Sequence, residues 1–307
     1  MTILDTNSIR IPPGLVVAPQ LPDLLSPVKI RHGVLGFLRN HPTVAIGGAL
    51  LLCLVLIGVL APWLGTVDPT AIAPAKRTRV PSAEYWFGTD LLGRDIYSRV
   101  IYGARVSLTV GLSVAVLASL AGLAIGLVSG FVRWADGIIM RFMDGLMSIP
   151  PILLAVTLMA LTRASVGNVI LAITVAEIPR VSRLVRSVVL SLREQPYVDA
   201  ATASGTRTPM IILRHILPNT LAPMLVQATY ICASAMIVES ILSFIGAGTP
   251  PTIPSWGNIM AEGRALWQVK PYIVFFPAAF LSVTVLAVNL LGDGLRDALD
   301  PRMAKSL

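Results

Sequence analysis

The chain is 307 residues long, with 55% hydrophobic residues, only 13% charged residues and a net charge of +8. Soluble domains carry about a quarter charged residues, so this composition excludes an ordinary soluble protein. Nucleic-acid binding would need a basic face on a soluble domain, and the excess charge therefore reads as membrane topology.

In chain order, residues 1–41 combine Arg10, Lys29, Arg31 and Arg39 with five prolines, which predicts a flexible tail. No apolar core followed by a small-residue cleavage site opens the chain, so it lacks the layout of a secretory signal. Uncharged apolar runs too long for strands follow, from Pro42 to Leu64 and from Val106 to Val132. Between them, Gly65 to Arg105 is a polar loop in which Arg94 lies beside Asp90 and Asp95; exposed local pairs of this kind are weak and would only stiffen a turn. In the second run Gly122, Gly126 and Gly130 recur every four residues on one helix face. Lipid supplies no hydrophobic drive between helices, so this face predicts close helix packing, within the subunit or against a partner subunit.

Arg133 to Arg141 reads as a short charged loop, and a third span, Phe142 to Leu161, is bent by Pro150-Pro151. A fourth span, Asn168 to Val181, ends near Glu177 and Pro179. Arg180, Arg183 and Arg186 follow at three-residue steps, a stripe suited to anionic headgroups or to a cytoplasmic partner, with the lipid reading preferred.

The next stretch is polar. Pro196 closes what precedes, Asp199 is placed to cap a short helix containing Ala200, Ala201 and Ala203, and Gly205 lets the chain leave it. Thr208-Pro209 starts a second helix, and Leu217-Pro218 is expected to break it. A fifth span, Leu221 to Ile245, buries Glu239 about 27 Å from Leu221 by helix rise. That carboxylate is either a pathway or gate residue or an acceptor for hydrogen bonds from the adjoining loop. Trp256 and Trp267 fit an interfacial aromatic belt, and a last span covers Tyr272 to Leu291. The expected fold is all-α, a polytopic membrane protein with about six transmembrane helices.

Four stretches carry a family resemblance. Asp199-Ala200-Ala201, Gly205 and Leu217-Pro218 resemble the "EAA" loop of bacterial ABC-importer permeases, with Asp199 in place of Glu and His215 in place of Ile. Phe87 to Arg105, the Pro250 to Gly257 segment and Asn289 to Arg302 are similar to signatures of the dipeptide/oligopeptide/nickel permease subfamily, of the DppC/OppC type. The resemblance implies the type I importer permease fold and ATPase coupling through Asp199, Ala200, Ala201, Gly205, Leu217 and Pro218. It implies, as partners, a second permease subunit in a heterodimer, ABC ATPase subunits, a periplasmic solute-binding protein and the lipid bilayer. Peptides are the implied cargo. The expected divisions are a cytoplasmic tail over 1–41, a first span with an extracytoplasmic loop over 42–105, and a permease core over 106–307 with a cytoplasmic coupling loop near 182–220.

An inner-membrane location with the N-terminus inside is favoured by fifteen Lys and Arg in the inner segments against nine in the outer ones, although six of the nine sit in the first loop. None of the four lysines follows a glycine, so no P-loop is present and any ATPase must be another chain. Cys53, Cys232 and the three histidines are scattered, so no cofactor or metal site is expected. The alternatives are a secondary transporter run by an ion gradient, marked by mid-membrane charges, and a membrane scaffold without transport.

Overall fold

The computed structural model describes residues 34–299. The expectations for residues 1–33, and for the Asp300-Pro301-Arg302 ending, lie outside the described residues. Among those described, the chain is helical and contains no strand beyond an isolated bridge between Thr89 and Asp95. The helices are α1 (Val34–Asn40), α2 (Pro42–Val59), α3 (Ile96–Phe131), α4 (Arg133–Met147), α5 (Pro151–Ala160), α6 (Val166–Arg193), α7 (Pro196–Ala203), α8 (Thr208–Ile211), α9 (Leu217–Phe244), α10 (Trp256–Gly263) and α11 (Tyr272–Leu299).

The all-α class holds, but the count of six spans needs adjustment. Four stretches are long and apolar enough to cross a membrane: α2, α3, Thr208–Phe244 and α11. A fifth is reached if α4 and α5 are taken as one span, bent by 86° at Pro150-Pro151. The prolines therefore do more than curve a third span. Pro151 starts α5 afresh, since its fixed φ suits a first helical turn. The short charged loop expected over Arg133 to Arg141 is instead the first half of α4. In place of the expected fourth span stands the 28-residue α6, which is not among those apolar stretches and which does not stop at Glu177 or Pro179 but carries Pro179 inside it.

The helix α3 begins ten residues before the expected second span. Asp95 caps it, with its carboxylate accepting from the Ser98 amide at 2.8 Å and from the Ser98 hydroxyl at 2.6 Å. From there α3 runs through the centre of the bundle, packed against α6, α9 and α2, while α11 packs on α2 and α9. The α3–α6 seam is set by the glycines. A Cβ on Gly122 would sit 2.4 Å from that of Val181, one on Gly126 2.6 Å from that of Val185, and one on Gly130 2.7 Å from that of Val189. The valines repeat at the same four-residue step, and both series ascend together, so the two helices run parallel.

Trp256 is not in an interfacial belt. It is fully buried against Gly103, and its indole N–H donates to the Val100 carbonyl at 3.0 Å. Trp267 is exposed. In the loop between α2 and α3, Lys76 donates to Glu84 and to Tyr85, and the bond from Lys76 holds the Glu84 carboxyl below its ordinary pKa.

Candidate functional site

Three polar regions interrupt this apolar bundle. The first is the turn between α6 and α9. Arg193, at the foot of α6, donates to the Gly130 carbonyl at 3.0 Å and lies over the Phe131 ring, so it ties α6 to the last turn of α3. Three residues later α7 begins, with Pro196 in its first turn and Gln195 as the flanking residue. Asp199 is therefore not the cap that the sequence pattern indicated. It lies within the first turn, makes no capping bond, and acts there as a negative charge near the positive helix end.

The other end of α7 is closed by a backbone pair, with the Ser204 hydroxyl also donating to the Ala200 carbonyl at 2.8 Å. The Gly205 amide donates to the Thr202 carbonyl at 3.0 Å and the Thr206 amide to the Ala201 carbonyl at 3.1 Å. This paired arrangement requires a left-handed residue, and Gly205 has φ +77°. Nothing lies within 4 Å of where its Cβ would be. Val198 is the buried anchor of α7, while Asp199, Ala200 and Gly205 are exposed and Ala201 is half-buried. The result is a two-turn helix with a small-residue surface.

Leu217-Pro218 does not break the chain. A π turn over Ile212–Ile216 joins α8 to α9, and Pro218 falls in the first turn of α9, where its missing N–H leaves no intrahelical bond unmade. Leu217 is half-buried and Pro218 exposed. The His215 ring faces that of Tyr197 with centroids 6.1 Å apart.

The second region is on the opposite side of the bundle. Asp90 and Arg94 do pair, but not as a weak exposed contact and not with Asp95. The Arg94 Nε donates to Asp90 at 2.7 Å, the Arg99 Nη1 donates to Asp90 at 2.5 Å, and both arginines reach Glu262 of α10. Asp90 and Arg99 side chains are each only 1% exposed. Two cations and two carboxylates thus neutralise one another where the loop between α2 and α3 meets α3 and α10. Nearby, Glu239 is fully buried and accepts from the Ser243 hydroxyl at 2.8 Å. Ser243 in turn contacts Thr249 at 3.2 Å, and Asn258 donates to Thr249 Oγ1 at 2.9 Å. Glu239 therefore sits at the root of a hydroxyl chain that holds the segment between α9 and α10.

The third region is the C-terminal half of α6. Arg183 and Arg186 bond to Asp144 and Asp136 of α4. Two of the three arginines of that stripe thus have carboxylate partners within the chain. Arg180 pairs with Glu177, a buried carboxylate that sequence reasoning treated only as the end of a span. The signal for it was present: acid and base three residues apart, inside an otherwise apolar stretch.

A family profile described as "Binding-protein-dependent transport system inner membrane component" matches residues 118–305. A probable peptide ABC transporter permease protein of Sinorhizobium fredii, y4tQ, is 53% identical over 277 residues, covering 90% of this chain and 95% of that relative. The dipeptide transport system permease protein DppC of Alkalihalophilus pseudofirmus is 41% identical, with 87% of this chain and 88% of that one covered. The oligopeptide transport system permease protein OppC of Bacillus subtilis is 35% identical, with the same coverage of 87% and 88%. A chain of the MetNI methionine ABC transporter, solved in inward-facing conformations, matches with a TM-score of 0.53 at 18% identity. That match covers 66% of this chain and 96% of the other, and it speaks to the fold alone.

Proposed function

This chain belongs to the family of binding-protein-dependent transport system inner membrane components, and from that premise we propose that it is the peptide-moving permease subunit of a bacterial ABC importer. Peptides are the cargo named for its relatives at 35–53% identity. ATP is hydrolysed by separate ATPase subunits, a solute-binding protein delivers the peptide at the outer surface, and a second permease subunit completes the path. The chain crosses the inner membrane several times, with its N-terminus and α7 in the cytoplasm. Glu239 works as an anchor of the segment between α9 and α10.

The observation that carries the coupling part of this reading is the exposed α7, closed at its end by Gly205. Small side chains allow another backbone to approach, and α7 is linked to the bundle at both ends, through the α6–α3 clasp at Arg193 and through the π turn into α9. When the ATPase subunits close on ATP, α7 moves with them and carries α6 and α9. Its role is mechanical.

Gly205→Glu tests this. The substitution places bulk and charge on the docking surface and forces a side chain into positive φ, so peptide uptake should be abolished while the spans still insert. Asp199→Ala removes a charge from the first turn, worth roughly 0.3–1 kcal/mol, and should be milder. Membrane insertion, co-purification of the ATPase and uptake are measured separately; normal uptake by Gly205→Glu would place the ATPase contact elsewhere.

A further inference from the structure

Glu177 and Arg180 lie one turn apart on α6, a helix that crosses the membrane in the permease reading given above. At 1.5 Å per residue they are about 16 Å and about 21 Å from Val166, short of the ~30 Å of a hydrocarbon core. The neighbouring helix gives the same depth. Ser234 of α9 donates to Glu177 Oε1 at 3.2 Å, and it lies about 15 Å along α9 from Phe244. Glu177 is 2% exposed. Its other oxygen, Oε2, is sealed from solvent without a hydrogen-bonding partner. The cation facing that oxygen is Arg180, whose Nη1 is 3.3 Å away, close enough for an ion pair but outside hydrogen-bond geometry.

Arg180 differs from the arginines that follow it. Arg183 and Arg186 are engaged by the carboxylates of α4. Among the described residues Arg180 has no carboxylate within ion-pair distance except Glu177, and its side chain is 47% exposed. A half-exposed guanidinium at this depth is costly against acyl chains and belongs on a bundle interior or a water-filled path. Its outward N–H groups form a planar fork whose geometric match is a carboxylate held by two parallel bonds.

We propose that Arg180 lines the transport path and binds the terminal carboxylate of the peptide cargo, with Glu177 as the positioning residue that holds the guanidinium. The assignment rests on the peptide reading of the function given above. Glu177 is too buried to meet cargo; it fixes Arg180 from behind, and Ser234 fixes Glu177.

The test uses the assembled complex with Cys53→Ala and Cys232→Ala as background. In Arg180→Cys, a charged, membrane-impermeant thiosulfonate should react at least about tenfold faster than in Leu171→Cys, because thiols react as thiolates and thiolates form in water. Leu171 is exposed on the outer, apolar part of the same helix. Saturating dipeptide should slow the reaction at position 180. Equal, slow rates at both positions would overturn the proposal.

In proteoliposomes, Arg180→Gln should raise the KM for a free dipeptide about tenfold, as expected for loss of a charge-assisted bond, with Arg180→Lys recovering part of it. Glu177→Gln should raise KM with the maximal rate retained, which a merely structural defect would not do. Uptake by the wild-type complex with KM unchanged in Arg180→Gln would overturn the role assigned to Arg180. A wild-type complex that takes up no dipeptide would instead defeat the peptide reading of the function itself, whatever the thiol rates.

Discussion

At the scale of single residues, burial decides which charges matter. Lys76 and Glu84 form an ion pair on the surface, with side chains 42% and 59% exposed. Asp90 and Arg99 form one in the interior, and removing one partner of a buried pair typically costs about 3–5 kcal/mol because the other is left desolvated. Asp90→Asn leaves Arg94 and Arg99 with Glu262 as their shared carboxylate, so its melting temperature in detergent should fall by many degrees. Glu84→Gln should leave the melting temperature nearly unchanged, because both charges of this pair stay in water and are screened there. Adding Arg99→Met to Asp90→Asn should recover part of the loss; a double variant worse than the sum of the singles would mean that the arginine stabilises through packing. The Asp90–Arg94 pairing was legible from the sequence because its members are four apart. Glu262 was not, since only the fold brings residue 262 to residue 99, and no local pattern records a contact over that separation.

At the scale of elements, the glycine stripe of α3 was readable, and its partner was not. A four-residue repeat of small side chains announces that something approaches closely; that the approaching surface is the Val181, Val185 and Val189 row of α6 follows only from the packing. Gly126→Leu must displace backbone as well as side chain, because the Ser182 carbonyl lies 2.8 Å from the would-be Cβ. Folded permease recovered from membranes should drop sharply for Gly126→Leu and stay unchanged for Gly137→Leu, since Gly137 on α4 has open space around it. Equal yields would mean that α6 can withdraw without loss. Helix boundaries were the least legible feature, and the misreadings share one cause. Pro179 and Pro218 were taken as stops, and Pro196, which does follow the end of α6, was not read as the start of α7. Proline is excluded only where an intrahelical N–H is needed, and it is welcome in a first turn or where neighbours and a π turn absorb the defect. Asp199 was misplaced by the same error, since moving the start of α7 back to Pro196 turns a cap into a first-turn residue.

At the scale of the molecule, the helical class and the several crossings were plain from composition and from runs of apolar residues. The bend at Pro150-Pro151 was legible as well, but the helix over Arg133 to Arg141 and the charged C-terminal half of α6 were not, because a hydropathy pattern cannot say which charges are answered by others. Asp136 and Asp144 answer Arg186 and Arg183, and that pairing turns an apparent loop into a helix lying against the core. The absence of a Gly-Lys-Ser/Thr loop leads to a further expectation: the purified chain should hydrolyse no ATP, and addition of its ATPase subunits should restore turnover. Hydrolysis that persists with every partner removed would contradict the division of labour proposed here.

The seam between α3 and α6 has one more implication. Three gaps on one helix and three branched side chains on the other share a pitch of four residues, which is about 6 Å of travel. A shift of half that distance lifts each valine out of its gap and onto the ridge beside it; a shift of the whole distance drops two of the three back into place. Such a contact behaves as an indexed rail. It resists small sliding and has its next stop a full turn away, so a push arriving from α7 moves the two helices as one body.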